Sequence, residues 1–497
     1  MGERTPIASK QATTGAPVRL PAPPRPPAPV RLPEPPPPPA LGFTSVEQEL
    51  DDERLEVQGE LPAWLQGTLI RNGPARFEAG ERVRHWFDGL AMLHRFSIAD
   101  GRVSYGNRFL RTKSFRASEE GRIGYREFAS DPCRSLFRRV ATLFGSNPHV
   151  TDNAAVNVVR IADEFVAMAE NPMPIVFDPR TLETLGVADA PPGLLPTAHP
   201  QVDPASGETV NFAVHLGARS AYRLYVHGPG GTARTICSIP VREPAYLHSF
   251  GLTENHAILV LGPLVVNPIE LALSPRPFIE NYRWEPDRGT EILAIDRRSG
   301  RVASRWSADP VFLFHHVNAY EADGEMVVDI CGYDDAALIE DLYLDRLAES
   351  GDIAEPRPRR YRLPAGGGRA DWRPLADVEL EMPRIHPRRS SRRHSVVWGT
   401  SRHDGRFASA LVRLDVDEGV TRRWHEPCCH PGEPVFVPRP GATAEDDGVL
   451  LSVVLDAGAG SSFLLVLEAE TLEETARAAA PHHIPFGVHG QFFDDLG

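Results

Sequence analysis

Short turns that begin with aspartate recur along most of the chain, and they constrain its fold more than any other feature. Aspartate and serine side chains accept hydrogen bonds from backbone amides in such turns, and glycine supplies the positive φ. Between the turns lie short runs rich in β-branched and aromatic residues, which predict strands. The repeated order of strand, turn and strand indicates a chain built from β-hairpins. The turns lie at residues 178–181, 203–207, 296–300 and 415–419, and examples of the strands lie at 209–214, 257–261, 326–330, 449–455 and 463–467.

Few segments show the period of a helix, which narrows the architecture further. Residues 336–348 are the best helix candidate, because their apolar side chains recur at helical spacing. Short strands without alternating helices are typical of sandwiches, barrels and propellers. The chain has 497 residues and shows no domain break after residue 46, which favours a propeller. We therefore predict an all-β propeller that forms one domain over residues 46–497.

Residues 1–45 differ from the rest of the chain in their high proline content, which includes an unbroken run at 35–39. Proline removes amide donors and fixes φ, so such a segment can be extended but cannot pack into a core. The segment also lacks the continuous apolar stretch of a secretory signal. We predict a disordered leader over residues 1–45.

Charge and cysteine content exclude some partners and indicate a compartment. A net charge of −14 argues against nucleic acid, since phosphate binding needs a basic face. No apolar stretch reaches the length of about 18 residues that a membrane-spanning helix needs. The five cysteines show no C-x-x-C spacing, so we expect free thiols in a reducing, cytoplasmic setting.

Four histidines stand at predicted strand ends far apart in the chain: His199, His248, His315 and His489. Neighbours in this set are separated by at least 49 residues, which excludes a site built from one helical turn. A propeller can bring such residues together, because each blade presents its innermost strand to a common axis. We predict that the four bind one metal ion. Imidazole ligands suit Fe, Cu, Zn and Ni, so ligand type alone leaves the metal open.

Three glutamates, Glu170, Glu381 and Glu433, stand in apolar or strand-like settings where a free carboxylate would be costly. A histidine ligand normally donates its second ring N–H to a carboxylate or carbonyl group, which fixes its tautomer. The three acids are therefore candidates to orient the histidines, and each could equally be a surface acid at a strand end.

Several ordered motifs make the chain similar to the carotenoid cleavage oxygenase family, and especially to its branch of β-carotene oxygenases and the retinal pigment epithelium isomerohydrolase. The resemblance extends from about Leu61 to Phe493. It rests on the motifs at 67–74 (Gly-Thr-Leu-Ile-Arg-Asn-Gly-Pro), 85–89 (His-Trp-Phe-Asp-Gly), 150–154 (Val-Thr-Asp-Asn-Ala), 198–200 (Ala-His-Pro), 248–253 (His-Ser-Phe-Gly-Leu-Thr), 314–318 (Phe-His-His-Val-Asn) and 433–437 (Glu-Pro-Val-Phe-Val).

The resemblance implies a seven-bladed β-propeller with loops and helices that cap one face, and an Fe(II) ion in a four-histidine site. The family's ligands correspond to His199, His248, His315 and His489, and its three glutamates correspond to Glu170, Glu381 and Glu433, which pair with the second, third and fourth histidine. No catalytic residue beyond the ligands is implied.

Five further residues bear on this assignment. By the same resemblance His316 is a neighbour of the site, and His85 and Asp88 belong to a packing and turn element. The chain departs from its relatives at His386, where they usually have Asn, and at Val488, where an aromatic residue or Thr is common.

The reaction implied is oxidative cleavage of a conjugated C=C bond with O₂, giving two carbonyl products. The expected substrate is a lipophilic polyene, a carotenoid or apocarotenoid, with central 15,15′-type cleavage to retinal favoured. Stilbene cleavage is one alternative, but Lys113 is displaced by one position from the lysine that grips a phenol in that branch. In a strand, one position reverses the face of the side chain. Retinoid isomerohydrolase activity is a second alternative, and a binding scaffold without activity is a third.

Two apolar segments, 262–278 and 136–144, are comparable with segments that relatives use to take lipophilic substrates from a bilayer. We therefore expect a cytoplasmic protein with peripheral, monotopic membrane contact.

Overall fold

Seven sheets follow one another along the described part of the chain and form the blades of a β-propeller; their strands pair antiparallel, apart from one short parallel pairing at the edge of the fourth. The structure is a computed structural model, and it describes residues 1–2, 39–131, 151–188, 195–217, 219–228, 231–349, 353–403 and 407–496. The predicted all-β, seven-bladed architecture is confirmed.

The blades are numbered in chain order, starting from the sheet that closes the ring. Blade 1 contains Gly490–Phe493, Gly67–Arg76, Leu90–Ala99, Arg102–Phe109 and Leu50–Leu55; blade 2, Asn157–Ile161, Glu164–Met168, Ile175–Phe177 and Thr184–Val187; blade 3, Leu195–Pro196, Gln201–Val202, Thr209–His215, Ala221–His227 and Ala233–Pro240; blade 4, Gly251–Leu252, His256–Leu261, Thr290–Asp296, Val302–Ala308 and Gly368–Arg369; blade 5, Phe312–Ala322, Glu325–Tyr333, Arg357–Leu363 and Asp371–Pro374; blade 6, Glu381–Arg384, Val396–Ser401, Ala410–Asp415 and Thr421–Trp424; and blade 7, Cys429–Pro431, Val435–Pro438, Gly448–Asp456, Ser461–Glu468, Glu474–Ala479 and Val57–Gly59.

The aspartate turns join the strands within the blades, as the sequence pattern predicts. Asp178 accepts hydrogen bonds from the backbone amides of Arg180 and Thr181, each at 2.8 Å. Asp415 accepts in the same way from Asp417 and Glu418. These bonds satisfy amides that no strand partner reaches, so each turn can reverse the chain in few residues.

Two pairings between distant parts of the chain close the ring. Gly490–Phe493 pairs antiparallel with Gly67–Arg76, so the C-terminal strand completes a blade that is otherwise N-terminal. Val57–Gly59 pairs with Glu474–Ala479 at the outer edge of blade 7. Between blades 7 and 1 lies an apolar layer that includes Leu69 and Leu464. The first and last strands of the propeller are therefore held together by pairing and by burial of apolar surface.

Short helices and loops supply the remaining described elements. The helices are Lys113–Glu119, Pro268–Leu273, Ala337–Asp341 and Leu344–Glu349; the 3₁₀ turns are Pro39–Phe43, Trp86–Asp88, Ile279–Asn281, Pro286–Arg288, Pro387–Arg389 and Asp494–Leu496; and two small hairpins pair Leu264–Val266 with Tyr282–Trp284 and Glu78–Ala79 with Glu81–Arg82. No described helix is long and apolar enough to cross a membrane.

The single helix predicted over residues 336–348 is wrong, because the structure divides it into two. The first helix ends at Asp341 and the second begins at Leu344. Between them Tyr343 forms a β-bridge with His85, and the Leu344 amide donates to the carbonyl of Arg84. Pairing with the 84–86 segment thus replaces the helical hydrogen bonds at this point.

Residues 39–45 pack against the propeller, although the proline-rich composition predicts that they belong to the leader. Phe43 is buried, and its ring lies 5.1 Å from that of Phe486 and 6.1 Å from that of Trp86. The division predicted after residue 45 therefore falls inside a packed segment. The rest of the predicted leader, residues 3–38, lies outside the described residues.

Candidate metal centre

The four predicted histidine ligands lie at or beside the innermost strands of four different blades. His199 lies between the first two strands of blade 3, His248 precedes the first strand of blade 4, His315 lies within the first strand of blade 5, and His489 precedes the closing strand of blade 1. The backbone of His489 is fixed on both sides, since its carbonyl accepts from Asn72 and its amide donates to Val156.

The ring nitrogens of the four histidines converge on one point. The Nε2 atoms of His199 and His248 lie 2.9 Å apart, and those of His315 and His489 lie 3.1 Å apart. One nitrogen from each residue lies within 4.8 Å of the other three. Two nitrogens about 2.1 Å from one ion and at right angles would be about 3 Å apart. The spacing therefore fits four ligands of a single metal ion.

Burial keeps His199 and His489 neutral, which is the form that binds a metal. Burial lowers the pKa of His199 well below its ordinary value, and the neighbouring histidines lower it further. Burial also lowers the pKa of His489 to about 3, against the opposing effect of Glu433. Their nitrogen lone pairs are consequently available at neutral pH.

Three carboxylates accept hydrogen bonds from three of the histidines. Glu381 Oε2 lies 2.5 Å from His315 Nδ1, Glu433 Oε1 lies 2.8 Å from His489 Nδ1, and Glu170 bonds His248 Nδ1. A carboxylate at Nδ1 fixes the tautomer in which Nε2 carries the free lone pair. These are the pairings that the family resemblance implies. In the described structure His199 has no such carboxylate, and its backbone amide donates to Thr197 Oγ1.

The three glutamates come from the three blades that supply no histidine. Glu170 follows the second strand of blade 2, Glu381 begins the first strand of blade 6, and Glu433 lies between two strands of blade 7. Each blade therefore contributes one side chain to the centre. Because every blade directs its innermost strand toward the axis, a seven-bladed ring is well suited to build this arrangement.

A further set of side chains holds the carboxylates, and none of them was predicted from the sequence. The Tyr246 hydroxyl donates to Glu170 at 2.8 Å, and the Tyr333 hydroxyl donates to Glu381 at 2.9 Å. Glu433 instead accepts from Arg71 at 2.5 Å and from Arg384 at 2.9 Å. The sequence did contain a sign of the role of Arg71, because a charged residue in an otherwise apolar strand must have a partner. It contained no comparable sign for the two tyrosines.

These partners keep two of the buried carboxylates ionised. Burial alone would raise the pKa of Glu433, but Arg384, His489 and Arg71 outweigh it and hold the pKa well below its usual range. Burial likewise opposes ionisation of Glu381, and its hydrogen bonds from His315, the Met382 amide and Tyr333 bring the net pKa below normal. Both groups can thus accept a histidine N–H.

An apolar cavity of about 800 Å³ reaches the centre, and His248 and His315 form part of its wall. Capping segments and blade loops supply most of its aromatic lining, which includes Phe128, Tyr246, Phe278, Phe314, Phe407 and Phe486. A volume of this size is typical of pockets that enclose a small organic ligand.

Several residues that the sequence motifs single out lie outside the ligand group. His316 follows a ligand, but its Nδ1 lies 2.8 Å from Ser249 Oγ and it is not part of the cluster. His85 and Asp88 are buried in the cap, where His85 Nε2 lies 3.0 Å from the carbonyl of Ile339. Asp88 accepts from the Ala129 amide and the Ser130 hydroxyl. They belong to a packing and turn element, as the resemblance implies.

The two departures from the family pattern have local roles. His386 caps the short turn Pro387–Arg389 by accepting from the Arg388 amide. Val488 is buried in the apolar cluster of the cap, and its amide donates to Asn72. Neither replaces a residue of the four-histidine cluster.

Comparisons with known proteins agree with this architecture. The family described as RPE65, retinal pigment epithelial membrane protein, matches residues 43–494. Carotenoid isomerooxygenase from Galleria mellonella is 37% identical over 489 residues, covering 90% of this chain and 95% of that protein. Human β,β-carotene 15,15′-dioxygenase is 31% identical over 516 residues, covering 90% and 94%.

Solved structures share the fold as well. A variant of Synechocystis apocarotenoid oxygenase superposes with a TM-score of 0.81 at 28% identity, covering 91% of this chain and 98% of that chain. A cobalt-substituted form of the same oxygenase gives a TM-score of 0.80 at 27% identity with the same coverage.

Proposed function

Because the chain belongs to the RPE65 and carotenoid oxygenase family, we propose that it is a non-haem Fe(II) dioxygenase that cleaves a conjugated C=C bond of a carotenoid or apocarotenoid. The products are two carbonyl compounds, with central 15,15′-type cleavage to retinal favoured. The convergence of four histidines beside an apolar cavity, two of them in its wall, is the observation that carries this proposal.

The donor set is compatible with iron, and the family resemblance favours iron among the metals that imidazole binds. Histidines bind a metal in their neutral form, so four of them would leave a divalent ion its full charge, and no carboxylate of the described residues joins the cluster. Bound iron would supply the binding and activation of dioxygen. The protein's part is to orient the ligands: Glu170, Glu381 and Glu433 hold three Nδ1–H groups, so that each Nε2 faces the centre.

The cavity would position the substrate. Its aromatic and aliphatic wall suits a long polyene, and a chain bound there would lie beside His248 and His315. No general base is required of the protein for this chemistry. The choice of double bond then depends on how far the polyene enters, which small differences in packing can change.

The structure does not support Lys113 as the lysine that would bind a phenol in the stilbene-cleaving alternative. We expected Lys113 to lie in a strand; this is wrong, because Lys113 begins the helix Lys113–Glu119. Its side chain is exposed and is not among the described residues that line the cavity. The isomerohydrolase alternative would use the same metal centre. Identification of the reaction products distinguishes that activity from dioxygenase activity.

Product analysis tests the proposal. Iron-loaded protein is incubated with β-carotene, an apocarotenal and resveratrol in parallel, and the products are identified by mass spectrometry. We expect aldehydes from β-carotene or the apocarotenal, and none from the His315→Gln variant. Aldehydes from resveratrol alone would contradict the proposed substrate. Absence of C=C cleavage in all three would favour isomerohydrolase activity instead.

We also propose that the cap contacts a membrane through the helix Pro268–Leu273, which lies in the predicted segment 262–278. Ile269 and Leu273 of this helix are 63% and 45% exposed, whereas Leu271 between them is buried and lines the cavity. One face of the helix can therefore meet lipid while the other borders the substrate space. The second predicted segment, 136–144, lies outside the described residues. A cytoplasmic location stays a prediction.

A further inference from the structure

The innermost strand of blade 6 supports two of the four histidines at once. At the first residue of this strand, Glu381 accepts a hydrogen bond from His315 at 2.5 Å. At its last residue, Arg384 donates to Glu433 at 2.9 Å, and Glu433 in turn accepts from His489. A change of backbone conformation between the two ends of the strand would therefore reach both histidines.

A β-bulge separates these two supports. Glu381 lies opposite Thr400, and Arg384 lies opposite Trp398. Between the two paired positions the inner strand has one residue more than its neighbour. Bulges of this kind redirect side chains and are frequent beside functional sites. The proline at position 383 is compatible with this place, since strand prolines occur at sheet edges and bulges.

Met382 adopts a left-handed backbone conformation within the bulge, with φ of 49°. That region is uncommon for a residue other than glycine, and a residue before proline prefers an extended backbone. The Met382 amide donates to Glu381 Oε2 at 2.7 Å, and the same oxygen accepts from His315. Backbone strain of this kind persists only where the surroundings fix it, and it is concentrated at functional sites.

The side chain of Met382 explains why a methionine is useful where glycine would be less strained. It is half-buried, packs against the apolar cluster of the cap and lines the cavity. Glycine would leave this part of the wall open. One residue therefore joins the wall of the cavity to the carboxylate that holds His315.

We propose that Met382 is a positioning residue of the metal centre, because its left-handed backbone directs an amide at Glu381, and Glu381 in turn fixes the His315 ring. The inference rests on the four-histidine centre and not on the identity of the substrate. A β-branched side chain is the least compatible with this backbone conformation. Such a residue at position 382 should therefore turn the amide away from Glu381.

Binding of Co(II) to the metal-free protein tests the inference without turnover. Affinity and the ligand-field absorption spectrum are measured for Met382→Ile and Met382→Leu, two variants of equal size that differ in branching at Cβ. Met382→Ile should weaken binding roughly tenfold, as expected when the support of a ligand is lost, and should change the spectrum. Met382→Leu should resemble the unmodified protein, and so should Met382→Gly, since glycine adopts this conformation without strain. Equal affinities of the isoleucine and leucine variants would overturn the inference.

A Glu381→Ala background distinguishes positioning from general destabilisation. There the Met382 amide has no carboxylate to bind, so Met382→Ile should weaken Co(II) binding no further. A second loss of about tenfold in that background would show that Met382 acts by another route, and the inference would be wrong.

Leu182→Ile is the matched control, because Leu182 is also a buried left-handed residue, with φ of 59°, but lies in a turn between the two outer strands of blade 2. It should lower the urea midpoint and leave the Co(II) affinity unchanged. An equal loss of affinity there would mean that the assay measures stability alone, which would overturn the inference.

A second pair of variants applies where Met382→Ile does not fold. Met382→Gly should then bind Co(II) more tightly than Met382→Ala, because both lack the side chain and only glycine is relaxed at this φ. Equal or weaker binding by the glycine variant would overturn the role of Met382 and leave the proposed function intact. Failure of the unmodified protein to bind Co(II) would overturn the metal centre, and with it both proposals.

Discussion

The three orienting carboxylates differ in what holds them. Glu170 and Glu381 each accept from one tyrosine, whereas Glu433 accepts from two arginines as well as from His489. The Gly490 amide also donates to Glu433 at 3.1 Å. Since hydrogen bonds to charged groups are stronger than neutral ones, we infer that the His489 ring is the most firmly held of the three.

Adjacent histidines in blade 5 allow a sharp test of the ligand assignment. His315→Gln removes a predicted ligand, so the purified protein should lose nearly all of its bound iron, measured by plasma mass spectrometry. His316→Gln is the control and should keep it, because His316 lies outside the cluster. The Glu381→Gln variant should retain an intermediate amount of iron, because its metal affinity should be reduced about 10- to 100-fold. Full iron content in His315→Gln would show that His315 is not a ligand.

At the scale of elements, the site depends on close backbone contact between the first long strand and the His489 segment. The amide of Asn72 donates to the carbonyl of His489, and the amide of Val488 donates to the carbonyl of Asn72. A Cβ atom on the next residue, Gly73, would lie 2.5 Å from the Cα atom of Gly487. Glycine at position 73 is therefore required for this approach.

Gly73→Ala should displace the His489 segment, because the atom it would meet belongs to the backbone and not to a flexible side chain. Overpacking of this kind typically costs about 1–3 kcal/mol. We expect iron affinity to fall at least about tenfold in chelator competition. Gly186→Ala is the control, since a Cβ there meets no atom within 4 Å. Equal affinities in the two variants would contradict the role of this contact.

The helix Pro268–Leu273 is the element that tests membrane contact. Substituting both Ile269 and Leu273 by Asp should reduce flotation of the protein with liposomes, because charges replace the exposed apolar side chains. Leu264 and Leu271 are unsuitable positions, since both are buried. The control replaces Leu185 and Val187, two exposed apolar residues on the outer strand of blade 2. Unchanged flotation of the helix variant would contradict membrane contact through this helix.

At the scale of the whole molecule, the centre exists only when the ring is closed. Each blade supplies one side chain, and His489 lies next to the strand that completes blade 1. Assembly of the site and folding of the propeller are therefore coupled, and bound metal should stabilise the folded state by mass action.

The buried histidines predict how the metal-free protein responds to acid. Burial lowers the pKa of nine described histidines. The pKa falls to about 3 in His85, His94, His316 and His489, and it falls well below its ordinary value in His199. The other four are His215, His386, His394 and His483. An unfolded histidine titrates near pH 6.5, so below that pH the unfolded state binds more protons and the free energy of unfolding falls. Two buried carboxyls act in the opposite direction, since burial raises the pKa of Asp88 to about 6 and that of Glu127 well above normal.

The histidines outnumber these carboxyls, so the net effect is loss of stability as pH falls from 6.5 toward 5. We expect the urea midpoint of the metal-free protein to decrease over this range, with each histidine contributing at most about 1.4 kcal/mol per pH unit. His94→Gln should make the decrease shallower. A midpoint that stays constant or rises would contradict the prediction.

Local chemistry determined much of this protein from its sequence alone. Aspartate turns and short apolar runs establish the all-β architecture, because a turn or a strand depends on residues close together in the chain. The ordered motifs indicated the family, and with it the seven blades, the four histidines and the three glutamates. The prediction of a continuous helix at 336–348 is wrong because a contact between residues distant in sequence decides this segment. Tyr343 pairs with His85, and this pairing interrupts the helix.

Only the tertiary structure decided how those residues are supported and what the cavity presents to a substrate. Tyr246, Tyr333 and Arg384 reach their carboxylates from positions 48 to 76 residues away along the chain. Which leucine faces the cavity likewise follows from the packing of neighbouring segments. Such contacts depend on distances of a few ångströms between segments that no local pattern relates, so they become visible only when the ring of blades is assembled.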